Sequence, residues 1–452
     1  MRGPGRKRGQ NRLGEVRLPA LVEHTLSNGL RVVVARREPI PLVAVRWVLP
    51  VGASADPKDR RGLADFTARL LRRGTQAMTA DAINDAVEFV GASLSAGAAE
   101  DFMAVSLTTP ARHLSAMLEV MGQLVREPSF PEPEVETARR RVLAQLANDL
   151  DDPALVADRA LARALWGDHP YGHDVSGTSE DVERFTRAEV EWFHHQWYGP
   201  RIAMLVVVGA VDPDVALDAA ERAFGGWSGG PSGPPSIPSL ERAVGTGRVL
   251  LVDKPDQTQS QVRIGALAMR RGAPDWIPAL VMNTALGGGF TSRLVNEIRV
   301  NRGLSYGAGS GFDGMLAGGS FSISTFTKTE STAEIIRVAL EQVRKMRAKG
   351  PTQRELSTAQ TYMAGLYPLR LETNESVAAA IAEVRLYALG DDWVAKYRER
   401  VRAVTRAQAT AAARTWLPGE DPAIVVVGNQ AKATPQLAGF GPIDVRPLAE
   451  LS

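Results

Sequence analysis

Hydrophobic residues along the chain follow two spacings, which predict strands and helices in a regular order. Residues 42–48 form a run that is apolar except at Arg46, and the run from Ile202 to Val211 carries no charge; both predict buried strands. Between Leu114 and Leu124, apolar positions recur at i, i+3, i+4, i+7 and i+10, which is the spacing of one helix face. In each half of the chain strands precede helices, and this segregation is typical of an α+β layer fold.

Further elements follow the same order. The pattern predicts helices over 62–73 and 133–150 in the first half. In the second half it predicts a strand ending near Ala268, a helix over 276–286, and a helix ending near Val300. The run Gly287–Gly289 lies between those two helices and predicts a tight turn rather than a phosphate loop, since no Lys-Ser/Thr follows it.

An internal repeat relates the two halves. The segment Val206–Gly209 returns 219 residues later as Val425–Gly428. The tripeptide Thr-Arg-Ala at 186–188 returns at 405–407 with the same offset, and Trp197 returns as Trp416. A shared offset across separated elements indicates duplication. The sequence therefore predicts two homologous domains, each a mixed β-sheet covered by α-helices.

A segment rich in Pro, Gly and Ser separates the repeats. Residues 229–239 cannot hold a helix or a central strand and are predicted to link the domains. The N-terminal domain is placed at 18–228 and the C-terminal domain at 240–447. Residues 1–17, with six basic residues and one acid, are predicted to form a disordered tail.

Composition narrows the function classes. With 53 basic and 51 acidic residues the net charge is +2, which does not favour a nucleic-acid partner. The chain has no cysteine, which excludes disulfides, zinc-thiolate sites and thiol nucleophiles. No segment approaches the ~18 apolar residues of a membrane span. The basic N-terminus lacks an apolar core, so a cytoplasmic location is expected, with a periplasmic one as the alternative if a signal peptide is missing from the chain.

The helix predicted at 62–73 carries a family resemblance. The sequence from Gly62 to Thr75, GLADFTARLLRRGT, resembles the signature helix of pitrilysin/insulinase-type zinc peptidases, including the mitochondrial processing peptidase. In that family the inverted motif His-x-x-Glu-His lies in a frame of Gly-x-Ala-His-Phe-x-Glu-His followed by Gly-Thr. Its two histidines stack on one helix face toward zinc, and its Glu acts as general base.

The frame is kept here but the chemical positions are substituted. Asp65 and Arg69 stand at the histidine positions, and Ala68 stands at the glutamate position. The family's third ligand is a distal Glu, and the matching position is Gln145. One carboxylate beside an amide and a guanidinium is a poor site for a divalent metal, so no metal or other cofactor is expected in this chain. Asp65 and Arg69 are interpreted as an i,i+4 ion pair on an exposed helix.

The histidines are interpreted as structural. His169 and His173 are four residues apart, but Pro170 and Gly172 place them on a loop rather than on one helix face. His194 and His195 are adjacent and therefore point apart on a helix.

The second half keeps a motif that the first half has lost. The segment 286–294 and the following Glu297, Arg299 and Tyr306 resemble the C-terminal domain of the same family. In active relatives an Arg and a Tyr seven positions later reach toward the bound peptide, opposite the zinc. The resemblance assigns those roles to Arg299 and Tyr306, whose donors can hold a substrate carbonyl. The alternative interpretation is a surface charge and a core aromatic.

The resemblance covers residues 18–445 and implies a two-domain half-clamshell. Some family members work as pairs, in which one subunit carries zinc and the other carries a degenerate motif with the Arg/Tyr pair. The first hypothesis is a non-catalytic subunit, inactive alone, that supplies Arg299, Tyr306 and half of a peptide chamber to a homologous partner holding Zn²⁺. The alternatives are a structural scaffold subunit and a peptide-binding homodimer without peptidase activity.

Overall fold

A computed structural model of the chain describes residues 18–38, 40–239 and 243–451. The predicted tail at 1–17 lies outside the described residues. In the described part of the chain, no helix has both the length and the apolar character that crossing a membrane requires. Residues 229–239, predicted as a linker, contain no helix or strand.

The first domain contains a six-stranded mixed sheet. Its strands are β1 (Leu21–Thr25), β2 (Arg31–Arg36), β3 (Leu42–Leu49), β4 (Ser93–Ala98), β5 (Met103–Pro110) and β6 (Met204–Gly209). The spatial order is β1-β2-β6-β3-β5-β4. Strands β2 and β6 pair in parallel and all other neighbours are antiparallel.

The second domain repeats this sheet. Its strands are β7 (Val249–Asp253), β8 (Gln259–Ala268), β9 (Ala308–Gly314), β10 (Gly319–Lys328), β11 (Ala423–Gly428) and β12 (Ile443–Pro447). The order β12-β7-β11-β8-β10-β9 matches the first sheet except at one edge. There β12 pairs in parallel with β7, whereas β1 is antiparallel to β2. The predicted α+β fold with two homologous domains is confirmed.

Fifteen α-helices cover the sheets in the described part of the chain. They are α1 (Leu63–Leu70), α2 (Ala80–Phe89), α3 (Leu114–Arg126), α4 (Glu132–Asp149), α5 (Pro153–Trp166), α6 (Ser179–Arg184), α7 (Arg187–Trp197), α8 (Pro213–Phe224), α9 (Trp276–Asn283), α10 (Thr332–Lys349), α11 (Gln353–Leu366), α12 (Asn374–Leu386), α13 (Trp393–Ala403), α14 (Arg406–Trp416) and α15 (Gln430–Leu437). The repeated Thr-Arg-Ala has a local cause, because Thr186 and Thr405 begin α7 and α14 with capping boxes.

The second half departs from its predicted helices around the glycine run. Helix α9 ends at Asn283, and two π-helical segments follow, Thr284–Gly288 and Val295–Asn301. Gly287 is needed because strand β9 passes close to it: a Cβ at this position would lie 2.3 Å from Oγ of Ser310. The predicted turn was therefore wrong for Gly287 and Gly288, which lie inside a helical segment and serve close packing.

One helix of each domain packs on the sheet of the other domain. Helix α5 belongs to the first half of the sequence, yet Val156, Ala160 and Leu161 pack against Val425 and Val427 of β11 in the second sheet. Helix α12 belongs to the second half and packs on β3 and β6 of the first sheet. The two helices occupy equivalent positions in the repeat, so the domains exchange corresponding elements.

This exchange explains why strands β6 and β11 are apolar throughout. All six residues of β6 and all six of β11 are buried. In β6, Leu205 and Val207 face the first domain's own helices, and Val206 and Val208 belong to the core that contains α12. When both faces of a strand are buried, apolar residues occupy every position and do not alternate with polar ones. This is the origin of the continuous apolar runs in the sequence.

A buried carboxylate joins the ends of the two exchanged helices. Asp101 lies in the turn between β4 and β5 and is 2% exposed. Tyr171 follows α5 and Tyr387 follows α12, and both hydroxyls donate to Asp101. The backbone N–H of Leu316, in the facing turn between β9 and β10, also donates to it at 2.8 Å. Burial raises the pKa of Asp101, and these donors compensate its desolvation.

The helix exchange predicts that the two domains unfold together. Leu165→Ala in α5 and Ile381→Ala in α12, both almost fully buried, are each expected to lower the free energy of unfolding by about 2–5 kcal/mol. Leu155→Ala, at a half-exposed position of α5, is the matched control and should cost less than about 0.5 kcal/mol. Denaturant unfolding followed by circular dichroism and by tryptophan fluorescence should give one coincident transition. Two separate transitions would contradict the coupling.

Candidate functional site

Helix α1 is held in place by residues of the Gly-x-Ala-x-Phe frame and by Asp56. Gly62 has φ +92°, and a Cβ there would lie 2.5 Å from the backbone oxygen of Ser176, so only glycine fits without strain. Phe66 is buried and packs against Phe185, with ring centroids 5.2 Å apart. The carboxylate of Asp56 accepts hydrogen bonds from the N–H groups of Gly62 and Ala64, at 2.7 and 2.8 Å. The frame therefore has a structural role that does not depend on metal.

The substituted positions meet around one guanidinium. Nε of Arg69 donates to Oδ2 of Asp65 at 2.6 Å, and Nη1 donates to Oε1 of Gln145 on α4 at 3.1 Å. The hydroxyl of Ser176 lies 3.4 Å from Nη2 of Arg69 and 3.3 Å from Oδ2 of Asp65. The structure thus brings together the three positions at which the resemblance places metal ligands, and the cation among them is the side chain of Arg69.

The predicted ion pair is present, but its surroundings differ from the expectation. Helix α1 is buried along nearly its whole length, and Asp65 is 5% exposed. The expectation of an exposed helix was wrong because α4, α7 and β4 all pack against α1. Ala68, at the position of the general base, is also buried and offers no ionisable group.

These residues do not fit zinc. The single carboxylate is already paired with Arg69, the distal ligand position carries the amide of Gln145, and a guanidinium cannot ligate a metal. Across the described residues, no group of three or more His, Asp or Glu side chains is placed to hold a metal ion.

Two of the histidines have clear structural partners. His194 is buried, and its Nε2 lies 2.8 Å from the carbonyl oxygen of Val125. His169 accepts a hydrogen bond from the N–H of Tyr171, and its Nε2 lies 2.7 Å from the carbonyl oxygen of Pro238. The structural interpretation of these two residues therefore agrees with their contacts.

The second predicted locus presents two unpaired donors. Arg299 lies in the π-helical segment 295–301 and is exposed, and Tyr306 is 87% exposed. Among the described residues neither side chain has a hydrogen-bond or ion-pair partner. Tyr306 is therefore not the core aromatic of the alternative interpretation. Among the described residues, no hydrogen bond or ion pair joins Arg299 or Tyr306 to Arg69.

The backbone that carries Arg299 and Tyr306 is well supported. Ile298 is fully buried, and its carbonyl accepts from the N–H of Leu304 at 2.8 Å. Ser310 of β9 donates to Asn283 at 2.6 Å and thereby ties β9 to the last residue of α9, which directly precedes the first π-helical segment. Arg293 makes two 2.7 Å bonds to Glu355 at the start of α11. Buried neighbours thus fix the segment and leave its two donors in solvent.

Some residues of the first locus were not predicted from the sequence. Ser176 lies on a loop 107 positions from Arg69, and no spacing rule connects them. Arg72 and Arg73 follow Arg69 at i+3 and i+4, and Arg141 precedes Gln145 by four, so helical spacing could have placed them on the same faces.

Comparison with known proteins assigns the family. The pattern described as "Insulinase (Peptidase family M16)" matches residues 31–179, and "Peptidase M16 inactive domain" matches residues 184–363. A Mycobacterium leprae protein named an uncharacterized zinc protease is 31% identical over 354 residues, which are 78% of this chain and 79% of that protein. The chain belongs to peptidase family M16. The resemblance of the sequence to pitrilysin/insulinase-type peptidases is therefore confirmed for the family.

Other M16 relatives carry different names and share the fold. A Helicobacter pylori protein named a non-peptidase homolog is 25% identical over 342 residues, 75% of this chain and 77% of that protein. A solved peptidase M16 inactive domain from Pseudomonas fluorescens matches with a TM-score of 0.85 at 25% identity, covering 91% of this chain and 98% of that one. A solved protease structure from Helicobacter pylori matches with a TM-score of 0.83 at 19% identity, covering 91% of this chain and 100% of that one. This likeness shows the fold alone.

Removing the carboxylate of Asp65 should destabilise the fold. In Asp65→Ala the Arg69 guanidinium loses its ion-pair partner beside a buried helix, so we expect a loss of about 2 kcal/mol in unfolding free energy. Glu191→Ala breaks an i,i+4 pair with Arg187 in which both side chains are over 40% exposed, and it should cost no more than about 0.5 kcal/mol. Denaturant titration of both variants measures the difference. Equal costs would contradict a special role for the Asp65 pair.

His194 should make the fold sensitive to acid. Burial lowers the pKa of His194 from 6.5 to about 4, so below pH 6.5 the unfolded chain takes up a proton that the folded chain does not. His194→Gln keeps a donor for the carbonyl of Val125. Between pH 6.5 and 4 its unfolding free energy should fall by about 2–3 kcal/mol less than that of the wild type. His195→Gln, at the exposed neighbour, is the control. An unchanged pH profile in His194→Gln would contradict the assignment.

Proposed function

We propose that this M16 chain is the non-catalytic subunit of a two-subunit zinc peptidase. A homologous partner supplies Zn²⁺ with its ligands and general base. This chain supplies Arg299 and Tyr306 and half of the chamber that encloses the peptide. Two observations together carry the proposal. Arg69 is hydrogen-bonded to the residues at the other two metal-ligand positions, and the donors of the second locus are exposed and have no partner among the described residues.

The chemistry of the two loci supports this division. Arg69 neutralises Asp65 and donates to Gln145, so the described residues of the first locus offer neither an unpaired carboxylate nor a ligand side chain free for metal. Arg299 and Tyr306 offer N–H and O–H donors suited to a peptide carbonyl and to charge that develops on it. Leaving both donors in solvent is consistent with a role completed by a second body, because a composite site can be built from rigid elements of two subunits.

The names of the relatives are compatible with this division. M16 proteins similar to this chain are named both as zinc proteases and as a non-peptidase homolog. The pattern that contains Arg299 and Tyr306 is described as the inactive domain of the family. Both names fit a family in which one member carries the metal and another carries binding residues.

The proposal predicts activity only in the pair. The purified chain should contain no zinc and hydrolyse no peptide, whereas mixing it with a zinc-bearing M16 relative from the same source should produce or sharply raise hydrolysis. Arg299→Ala should lower turnover by about 100-fold without preventing assembly, because it removes a donor at the reacting carbonyl. Tyr306→Phe should also lower turnover while keeping the aromatic ring.

Controls separate this role from its alternatives. Arg302→Ala changes an exposed arginine that directly follows the same segment and forms an ion pair with Glu334 at 3.3 Å. Turnover of the pair should remain near wild type. Stoichiometric zinc and activity in the isolated chain, or unchanged turnover in Arg299→Ala, would overturn the proposal. Stable assembly without hydrolysis would favour a scaffold.

A further inference from the structure

A small pocket beside the substituted metal locus is lined by four arginines. It has a volume of about 180 Å³ and lies between α1, α2, α4 and β4. Its charged lining consists of Arg69, Arg72, Arg73 and Arg141, and the amide of Asn84 also faces it. The other lining residues are apolar, and no carboxylate among the described residues lines it.

Two of these four charges are compensated and two are not. Arg69 is paired with Asp65 at 2.6 Å, and Arg73 lies 4.0 Å from Glu134. Arg72 and Arg141 have no ion-pair or hydrogen-bond partner among the described residues, and neither does Asn84. The pocket therefore carries a local excess of two positive charges together with an unused amide.

Arg72 is unusual because its charge is partly withdrawn from water. Its Nε is buried and has no hydrogen-bond partner in the described part of the chain. Burial, with a smaller contribution from the neighbouring Arg73, lowers the pKa of Arg72. A buried donor without an acceptor costs free energy, and buried charges in proteins are normally paired. The exposed pair of Arg187 with Glu191 shows the ordinary arrangement for a surface arginine of this chain.

We propose that this pocket binds a compact oxyanion, the phosphate ion or the carboxylate groups of a small acid. Two uncompensated guanidinium groups match a dianion in charge, and their planar forks match phosphate and carboxylate oxygens in geometry. The volume equals that of about six waters, which is enough for one such ion with some of its hydration. The site uses none of Arg299, Tyr306 or a partner subunit, so it does not depend on the proposed function.

The test is calorimetric titration of the purified full-length chain at low ionic strength, with inorganic phosphate in one series and succinate in another. Saturable binding of one ion per chain is expected. Arg141→Gln and Arg72→Met should each weaken it by about tenfold or more, because each removes a charge-assisted donor. Arg140→Gln is the matched control, since Arg140 is exposed on α4 like Arg141 but does not line the pocket, and among the described residues its side chain bonds to Thr137.

Each outcome decides a separate point. If phosphate binding is lost in both pocket variants and kept in Arg140→Gln, the pocket is a phosphate site. If succinate alone binds and shows these same losses, the pocket is a carboxylate site. Arg72→Met should not lower the melting temperature without ligand, because it removes a poorly solvated charge. If Arg72→Met fails to fold, the binding measurement on Arg141→Gln still tests whether the pocket is the binding site. Absence of saturable binding of either ion, or binding that the pocket variants leave unchanged, would overturn the proposal.

Discussion

The reciprocal burial of α5 and α12 is the interaction on which the rest of the structure depends. Each helix covers the second face of the other domain's sheet, so neither sheet is complete without the opposite half of the chain. The same exchange brings Tyr171 and Tyr387, which follow the two helices, to the buried carboxylate of Asp101. Because the domains share cores rather than a surface contact, their relative orientation is set by packing density and not by the linker.

Packing also explains why the Gly-x-Ala-x-Phe frame of helix α1 is present although the metal-binding residues are substituted. Gly62 is required by its backbone angle and by the close approach of Ser176, and Phe66 fills core space against Phe185. These demands come from packing and remain when the ligands are replaced. Arg69 then places a fixed cation among Asp65, Gln145 and Ser176, where it compensates the charge of the buried Asp65 carboxylate.

The two loci differ in the burial and hydrogen bonding of their polar side chains. At the first, Asp65 is nearly buried and fully engaged, which favours a structural role in holding α1 against α4 and the loop at Ser176. At the second, a rigid segment anchored by Ile298 and Arg293 leaves Arg299 and Tyr306 in solvent. The arginines beside the first locus are an exception: Arg72 has a buried Nε without an acceptor, and the exposed Arg141 has no ion-pair partner among the described residues.

The sequence by itself determined the duplication, the apolar central strands, the α+β layering and the substitution of the metal-binding positions. These features depend on spacing and residue type, which are local properties. Only the tertiary structure decided which core each helix enters: the periodicity of α5 and α12 shows that one face is buried, but not that the face belongs to the other domain. It also decided that α1 is buried and that Ser176, 107 positions away, meets Arg69. The grouping of four arginines around one pocket has the same origin, since α1 and α4 are brought together by packing between residues distant in the chain.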